Sequence, residues 1–437
     1  MMNVQFKKML AALLALVAWT SGAAAATPVQ SWTTAQGARV YFIETHALPI
    51  VDVQVLFLAG SAFDPDDKPG LASLTASLMD QGAGARNEQQ VAEALADIGA
   101  SLSVGAGLDS ATLSLRTLSD PERRRIAFDL MADVMARPQF DRAIFKRDQA
   151  RSIAALKEAL TKPQVLAQRA YMSALYANHP YGRLATPGSV ERIAHSDITS
   201  FWRAHFTPGR ASVAIVGDLT RSEAEALADQ LLAALPVDQP DVAKRLPDPA
   251  ATKAKVVRVE HPASQAHLLV GMPALARDDP EQIALQVGNY TLGGGGFVSL
   301  LTKAVREERG YAYSVYSYFQ PQLVPGPFTI GLETKRAQAD DALKVVDQVV
   351  GDFLQRGPTA TQLKAAQDNI AGGFALRIDS NSKLAANLGV MAFYGLPTDW
   401  LTQYPARVRA LTPAAVRDAF RKHVSLEGLV TVRVAAD

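Results

Sequence analysis

One order of secondary-structure elements occurs twice along this 437-residue chain. In the first half, strand-like segments at 40–44 and 51–57 precede a helix that opens at Leu71. A second helix begins at Asn87, where Gln90 three residues on makes a capping box. Alternating strands at 101–104 and 112–116 follow, then long helices from Pro121 and Asp141, a helix over 196–205 and a strand over 212–216. The second half repeats the series. Strands at 256–260 and 267–270 lead to helices at 280–292 and 298–308, strands at 313–319 and 328–333, helices at 341–354 and 361–374, a helix from Pro413 and a last strand at 429–434. Strand patterns followed by helical periodicity predict two α+β domains, each a mostly antiparallel sheet backed by helices. Prolines at 236, 240, 247 and 249 punctuate the stretch between the halves. The expected division is 27–235, a linker over 236–254, and 255–437.

Residues 1–26 stand apart from both repeats. Lys7 and Lys8 precede an apolar run from Met9 to Trp19, and Ala24–Ala26 ends the segment. This is the pattern of an export signal, with cleavage expected after Ala26 and a periplasmic or secreted location. No cysteine follows it, so no processed thiol carries a lipid anchor and no disulfide staples the fold. Without Lys7 and Lys8 the formal charge moves from +1 to −1, and no basic cluster marks a nucleic-acid surface. No later segment reads as a membrane span.

A local metal motif is missing. The histidines are His46, His179, His195, His205, His261, His267 and His423, and no two are four apart as a helical zinc pair requires. Ser380-Asn381-Ser382-Lys383 matches SxxK formally, but it stands without companion motifs and reads as a helix N-cap. In Gly70–Met79, GLASLTASLM, Leu71, Leu74 and Leu78 form an apolar face. Ser73, Ala76 and Ser77 project together from another side, with no nearby base to activate a hydroxyl. The run Gly293, Gly294, Gly295, Gly296 lacks the Lys-Ser/Thr of a phosphate loop. It is read either as a helix C-cap with a mobile linker or as a place where a ligand's backbone approaches closely. Farther on, Arg306 ends a helix and Tyr313 starts a strand after the Gly310 turn. That arrangement can place a guanidinium and a phenol side by side as fixed donors to a peptide carbonyl; by spacing alone the two also read as an Arg favoured at a helix C-terminus and a Tyr common in strands.

Taken together, GLASLTASLMDQGAG, HPYGR (179–183), FTPGRASVAIVGDL (206–219), NYTLGGGGF (289–297) and VREERGYAYSVYS (305–317) resemble the M16 family of zinc metallopeptidases, the pitrilysin, insulinase and mitochondrial processing peptidase group. The resemblance implies half of a clamshell built from two homologous α+β domains. It places the family's two zinc histidines at Ser73 and Ser77, its glutamate base at Ala76, and its third ligand at Ala154, or at Ala155 one residue on. None of these can hold zinc, so the chain is expected to bind no metal and to be no enzyme on its own. The family's substrate-facing Arg and Tyr fall on Arg306 and Tyr313, and Gly293–Gly296 becomes a candidate substrate loop. The expected role is the non-catalytic subunit of a heterodimer: a partner bearing HxxEH holds the zinc, and peptides are the substrates. A non-enzymatic scaffold or peptide-binding protein with the same fold is the alternative.

Overall fold

The computed structural model describes residues 28–436; the signal-like segment lies outside them. With single-turn helices and one two-residue hairpin left unlabelled, the first half runs β1 (Gln30–Thr33), β2 (Arg39–Glu44), β3 (Ile50–Phe57), α1 (Leu71–Met79), α2 (Glu88–Asp97), β4 (Ser101–Ala106), β5 (Ala111–Leu118), α3 (Pro121–Ala136), α4 (Arg142–Ala159), α5 (Pro163–Leu175), α6 (His195–His205), β6 (Ala211–Gly217) and α7 (Arg221–Leu232). The second half runs β7 (Lys255–Glu260), β8 (Gln265–Leu275), α8 (Gln282–Asn289), β9 (Ala312–Phe319), β10 (Gly326–Lys335), α9 (Ala339–Arg356), α10 (Ala360–Gly372), α11 (Asn381–Tyr394), α12 (Trp400–Arg409), α13 (Pro413–His423) and β11 (Val430–Ala435). No helix among the described residues is long and apolar enough to cross a membrane.

Local sequence sets the helix starts. Asn87 and Gln90 cap each other reciprocally at 3.0 Å, as the spacing predicts. Asp120 accepts the Arg123 N–H in front of Pro121, and Thr412 does the same for Ala415 in front of Pro413. Strand order depends on the tertiary fold. The sheets run β1-β2-β6-β3-β5-β4 and β9-β10-β8-β11-β7, with only the β2–β6 and β11–β7 pairs parallel. The consecutive strands β2 and β3 are not partners, because β6 lies between them. All seven β6 residues are buried, and a strand apolar on both faces belongs in the middle of a sheet.

The duplication is visible in single hydrogen bonds. Gln149 Nε2 on α4 donates to Val190 O (2.8 Å) and Ile193 O (2.9 Å), which lie 41 and 44 residues on. Gln367 Nε2 on α10 donates to Val408 O (3.1 Å) and Leu411 O (3.0 Å), at the same separations.

Each half also lends a helix to the other. α5 of the first half packs on β8, β11 and β7, while α11 of the second packs on β6, β3 and β2. Tyr171 on α5 is fully buried, and its hydroxyl reaches Phe328 O at 2.8 Å and Thr329 Oγ1 at 3.0 Å. Gly271 makes room for it, since a Cβ there would lie 2.2 Å from that hydroxyl. In return, Tyr41 of β2 donates to Leu396 O at 2.6 Å, just past the left-handed Gly395 that ends α11. Between the halves the Asp109 carboxylate is 3 % exposed and accepts from Tyr181 Oη (2.6 Å), Leu323 N (2.8 Å) and Tyr394 Oη (3.0 Å).

His205, at the end of α6, stacks on Phe201 at 4.3 Å. Burial, helped by the Arg210 charge, lowers its pKa to about 4. A depressed folded-state value means that the neutral ring's contribution is complete above the unfolded pKa near 6.5 and is lost as pH falls through about 4. The stability of the native chain relative to a His205→Phe variant is therefore expected to drop by about 3 kcal/mol between pH 7 and pH 4 in urea unfolding.

Candidate functional site

Helix α1 is the first element to weigh. Its N-cap, Gly70, has φ 108° and offers no side chain, so Asp64 caps the helix from outside by accepting the Gly70 and Ala72 N–H groups at 2.7 Å each. Burial pushes the Asp64 carboxyl up to about 7 against those two bonds and the Arg183 charge. Leu71, Leu74 and Leu78 are buried as the periodicity predicts, and Ser73 and Ser77 face solvent one turn apart. Ala76 departs from the expected common face, being 0 % exposed. Adjacent helical residues are rotated by about 100°, and that rotation turns position 76 into the packing between elements. Ser77 Oγ is committed to Leu74 O at 3.0 Å. The neighbouring α4 packs on α1, held by Arg147 bonds to Glu88 (2.8 Å) and Gln81 (3.1 Å), and it exposes Ala154 and Ala155. Two hydroxyls and methyl groups do not fit zinc, which takes imidazole, thiolate or carboxylate donors.

The second element is the segment from α8 to β9. Helix α8 does not stop at the glycines. It widens into a π-helical turn over Tyr290–Gly294, and a second π-helical stretch covers Thr302–Glu307. The expected continuous helix over 298–308 is thus shortened by a 3₁₀ turn, Gly296–Val298, and distorted after it. Such bulges shift side-chain direction and recur at functional sites. Here they bring Arg306 between two rings, with Cζ 4.8 Å from the Phe297 centroid and 4.8 Å from that of Tyr313. Phe297 is 68 % and Tyr313 84 % exposed, and the Gly310 turn between Arg306 and Tyr313 has φ 64°. Among the described residues the Arg306 guanidinium makes no ion pair and donates no side-chain hydrogen bond, so its N–H groups stay available beside the two rings. The pairing of Arg306 with Tyr313 follows from their spacing. Phe297 was missed in the sequence, although its place directly after four glycines was a signal.

The glycines differ among themselves. A Cβ at Gly293 would lie 2.4 Å from Ser317 Oγ, one at Gly294 2.6 Å from Asn289 Nδ2, and one at Gly295 2.6 Å from Tyr290 O. These three are needed for packing. Only Gly296, with φ 62°, faces open space. Next to Tyr313, a cleft of about 580 Å³ opens between α5 and the sheet, lined by Gln164, Gln168, His267, Tyr316 and Glu333. It borders β9, an edge strand.

The remaining candidates have structural partners. Ser380 caps α11, accepting from Lys383 N. His179 contacts Pro247 O at 2.9 Å and ties down the interdomain segment. Among the described residues, Asp279, Glu281 and His423 form the group of three side chains of ligand type. Distant in sequence, the group was not legible there. His423 Nδ1 lies 2.9 Å from Ala274 O, while Nε2 lies 2.8 Å from Glu281, which the Lys422 ammonium also meets at 2.8 Å. Those contacts satisfy it as an ion-paired cluster.

Comparison with known proteins identifies the fold. The sequence model for insulinase (peptidase family M16) matches residues 39–187, and that for the peptidase M16 inactive domain matches residues 192–370. A crystal structure of a peptidase M16 inactive domain from Pseudomonas fluorescens is 35 % identical, with a TM-score of 0.89 over 94 % of this chain and 98 % of that one. A protein called non-peptidase homolog YmxG, from Helicobacter pylori, is 23 % identical over 392 residues, 89 % of this chain and 90 % of its own. The periplasmic protease PqqL of Escherichia coli shares the fold at a TM-score of 0.81 and 19 % identity, and this chain spans 46 % of its length. The chain belongs to the peptidase M16 family.

The emptied site gives a direct test. Ser73→His, Ser77→His and Ala154→Glu replace exposed side chains and are expected to create a site for about one Zn²⁺ per chain by metal analysis, whereas the unaltered protein takes up none there. Adding Ala76→Glu to that triple variant is expected to lower its melting temperature, because it buries a carboxylate.

Proposed function

We propose that this protein is the non-catalytic, substrate-binding subunit of a heterodimeric M16-type peptidase, exported by its first 26 residues. The observation that supports this most is a stacked, otherwise uncommitted Arg306 beside an exposed Tyr313, in a chain whose metal positions are Ser73, Ala76, Ser77 and Ala154. In this reading a partner chain with HxxEH supplies zinc and the glutamate base. Arg306 donates its N–H edge, and Tyr313 its hydroxyl, to the carbonyl oxygen of the peptide to be cleaved, where negative charge grows during attack. Phe297 and Tyr313 hold the guanidinium by its faces and limit the freedom it would otherwise lose on binding. Gly296 lets the loop shift as peptide enters, while the packed Gly293–Gly295 keep its base fixed. The peptide lies extended along a sheet edge of the partner.

The purified pair of chains is expected to cleave peptides. Arg306→Ala and Tyr313→Ala are each expected to lower kcat/KM by about 10²-fold, with association of the two chains unchanged in analytical ultracentrifugation. Unchanged kcat/KM in both variants would assign the chain instead to a scaffold or peptide-binding role. Cleavage by this chain alone after metal stripping would overturn the proposal.

A further inference from the structure

A second cavity, of about 450 Å³, lies in the C-terminal half between α8, the end of β9 and the α10–α12 region, lined among others by Arg277, Arg377, Gln286, Phe374, Trp400 and Tyr404. Its charge is one-sided, because two arginines and several amides line it and no Asp or Glu does. Arg277 Nε is buried without a hydrogen-bond partner, while Nη2 donates to Pro321 O at 3.2 Å and the guanidinium lies over the Tyr394 ring, 5.3 Å from its centroid. A buried N–H left without an acceptor is costly, the more so on a charged group. Asp109 is the carboxylate whose field reaches Arg277, but its oxygens already accept from Tyr181, Leu323 and Tyr394. Arg377 makes no ion pair among the described residues, although it stands close enough to Tyr404 to favour the ionised phenol. The Tyr404 hydroxyl donates to Gln286 Oε1 at 2.9 Å, which leaves that amide's two N–H groups for another acceptor.

The same lining carries an aromatic cluster. Phe374 stacks on Tyr404 at 4.8 Å, and Trp400 lies 5.0 Å from the same ring. The cavity is of small-molecule size, and aromatic side chains together with a few polar donors are the usual make-up of a ligand site. Tyr318 lines it at the far end of β9 from Tyr313, so at roughly 3.4 Å per residue its centre is about 17 Å from the Arg306 pair.

We infer that this cavity binds a small organic carboxylate with a flat apolar body, the anion between Arg277 and Arg377 and the body against Phe374, Trp400 and Tyr404. A free aryl acid and the C-terminal carboxylate of a peptide ending in an aromatic residue share this chemistry. The site is independent of the peptidase-subunit reading, and its test requires no partner chain.

The full chain is titrated with 3-phenylpropionate, N-acetylphenylalanine, 3-phenylpropionamide and inorganic phosphate, and Trp400 fluorescence and calorimetry are recorded. Both carboxylates are expected to bind saturably, at least about tenfold more tightly than the neutral amide, and the tighter one names the source. Arg377→Gln, at an exposed position that leaves folding intact, is expected to weaken carboxylate binding about tenfold or more, and Arg277→Gln to abolish it. Equal binding of amide and carboxylate, phosphate binding more tightly than either acid, insensitivity to Arg377→Gln, or no saturable binding at millimolar ligand would each overturn the inference.

Discussion

The exchange of α5 and α11 between the halves is the contact on which the rest of the structure depends. Neither sheet is covered by helices of its own half alone. The face of β8, β11 and β7 is closed by α5, and that of β6, β3 and β2 by α11. Burying an aromatic such as Tyr171 contributes about 1.5–3 kcal/mol from apolar area, and its hydroxyl is matched to Phe328 O so that burial leaves no donor unpaired. Since each half lacks one cover without the other, the two domains form one body. The Asp109 carboxylate adds a polar fastening at the same junction.

That rigid pairing positions both functional faces. On the first half it presents α1 beside α4, with Ser73, Ser77 and Ala154 exposed. On the second half it leaves β9 as an unpaired edge, with Arg306 clamped at one end and the Arg277/Arg377 cavity at the other. The Ser73/Ser77 face and the Arg306/Tyr313 pair thus lie on different halves of the chain.

Much of this was legible in the chain. Period-2 and period-3.6 patterns located most helices, but not α5, α7 or α12, and every strand except β1. Caps such as Asn87/Gln90 marked exact starts because the bond is local, and the absence of any zinc donor at 73, 76, 77 and 154 follows from residue chemistry. Three features were not legible. The insertion of β6 between β2 and β3 joins segments more than 150 residues apart. The inward turn of Ala76 depends on which neighbours cover α1. The π-helical turns that aim Arg306 have no strong local sequence code, since one extra residue per turn is tolerated only where outside packing compensates for it.

Sequence alone therefore determined most of the element order and its duplication, because both are set by side-chain type and short-range spacing. Tertiary structure alone decided that the halves trade helices and that Arg277 and Arg377 line one cavity whose lining holds no Asp or Glu. Those arrangements rest on contacts between residues distant in sequence, where the energy comes from shared burial rather than from any local preference.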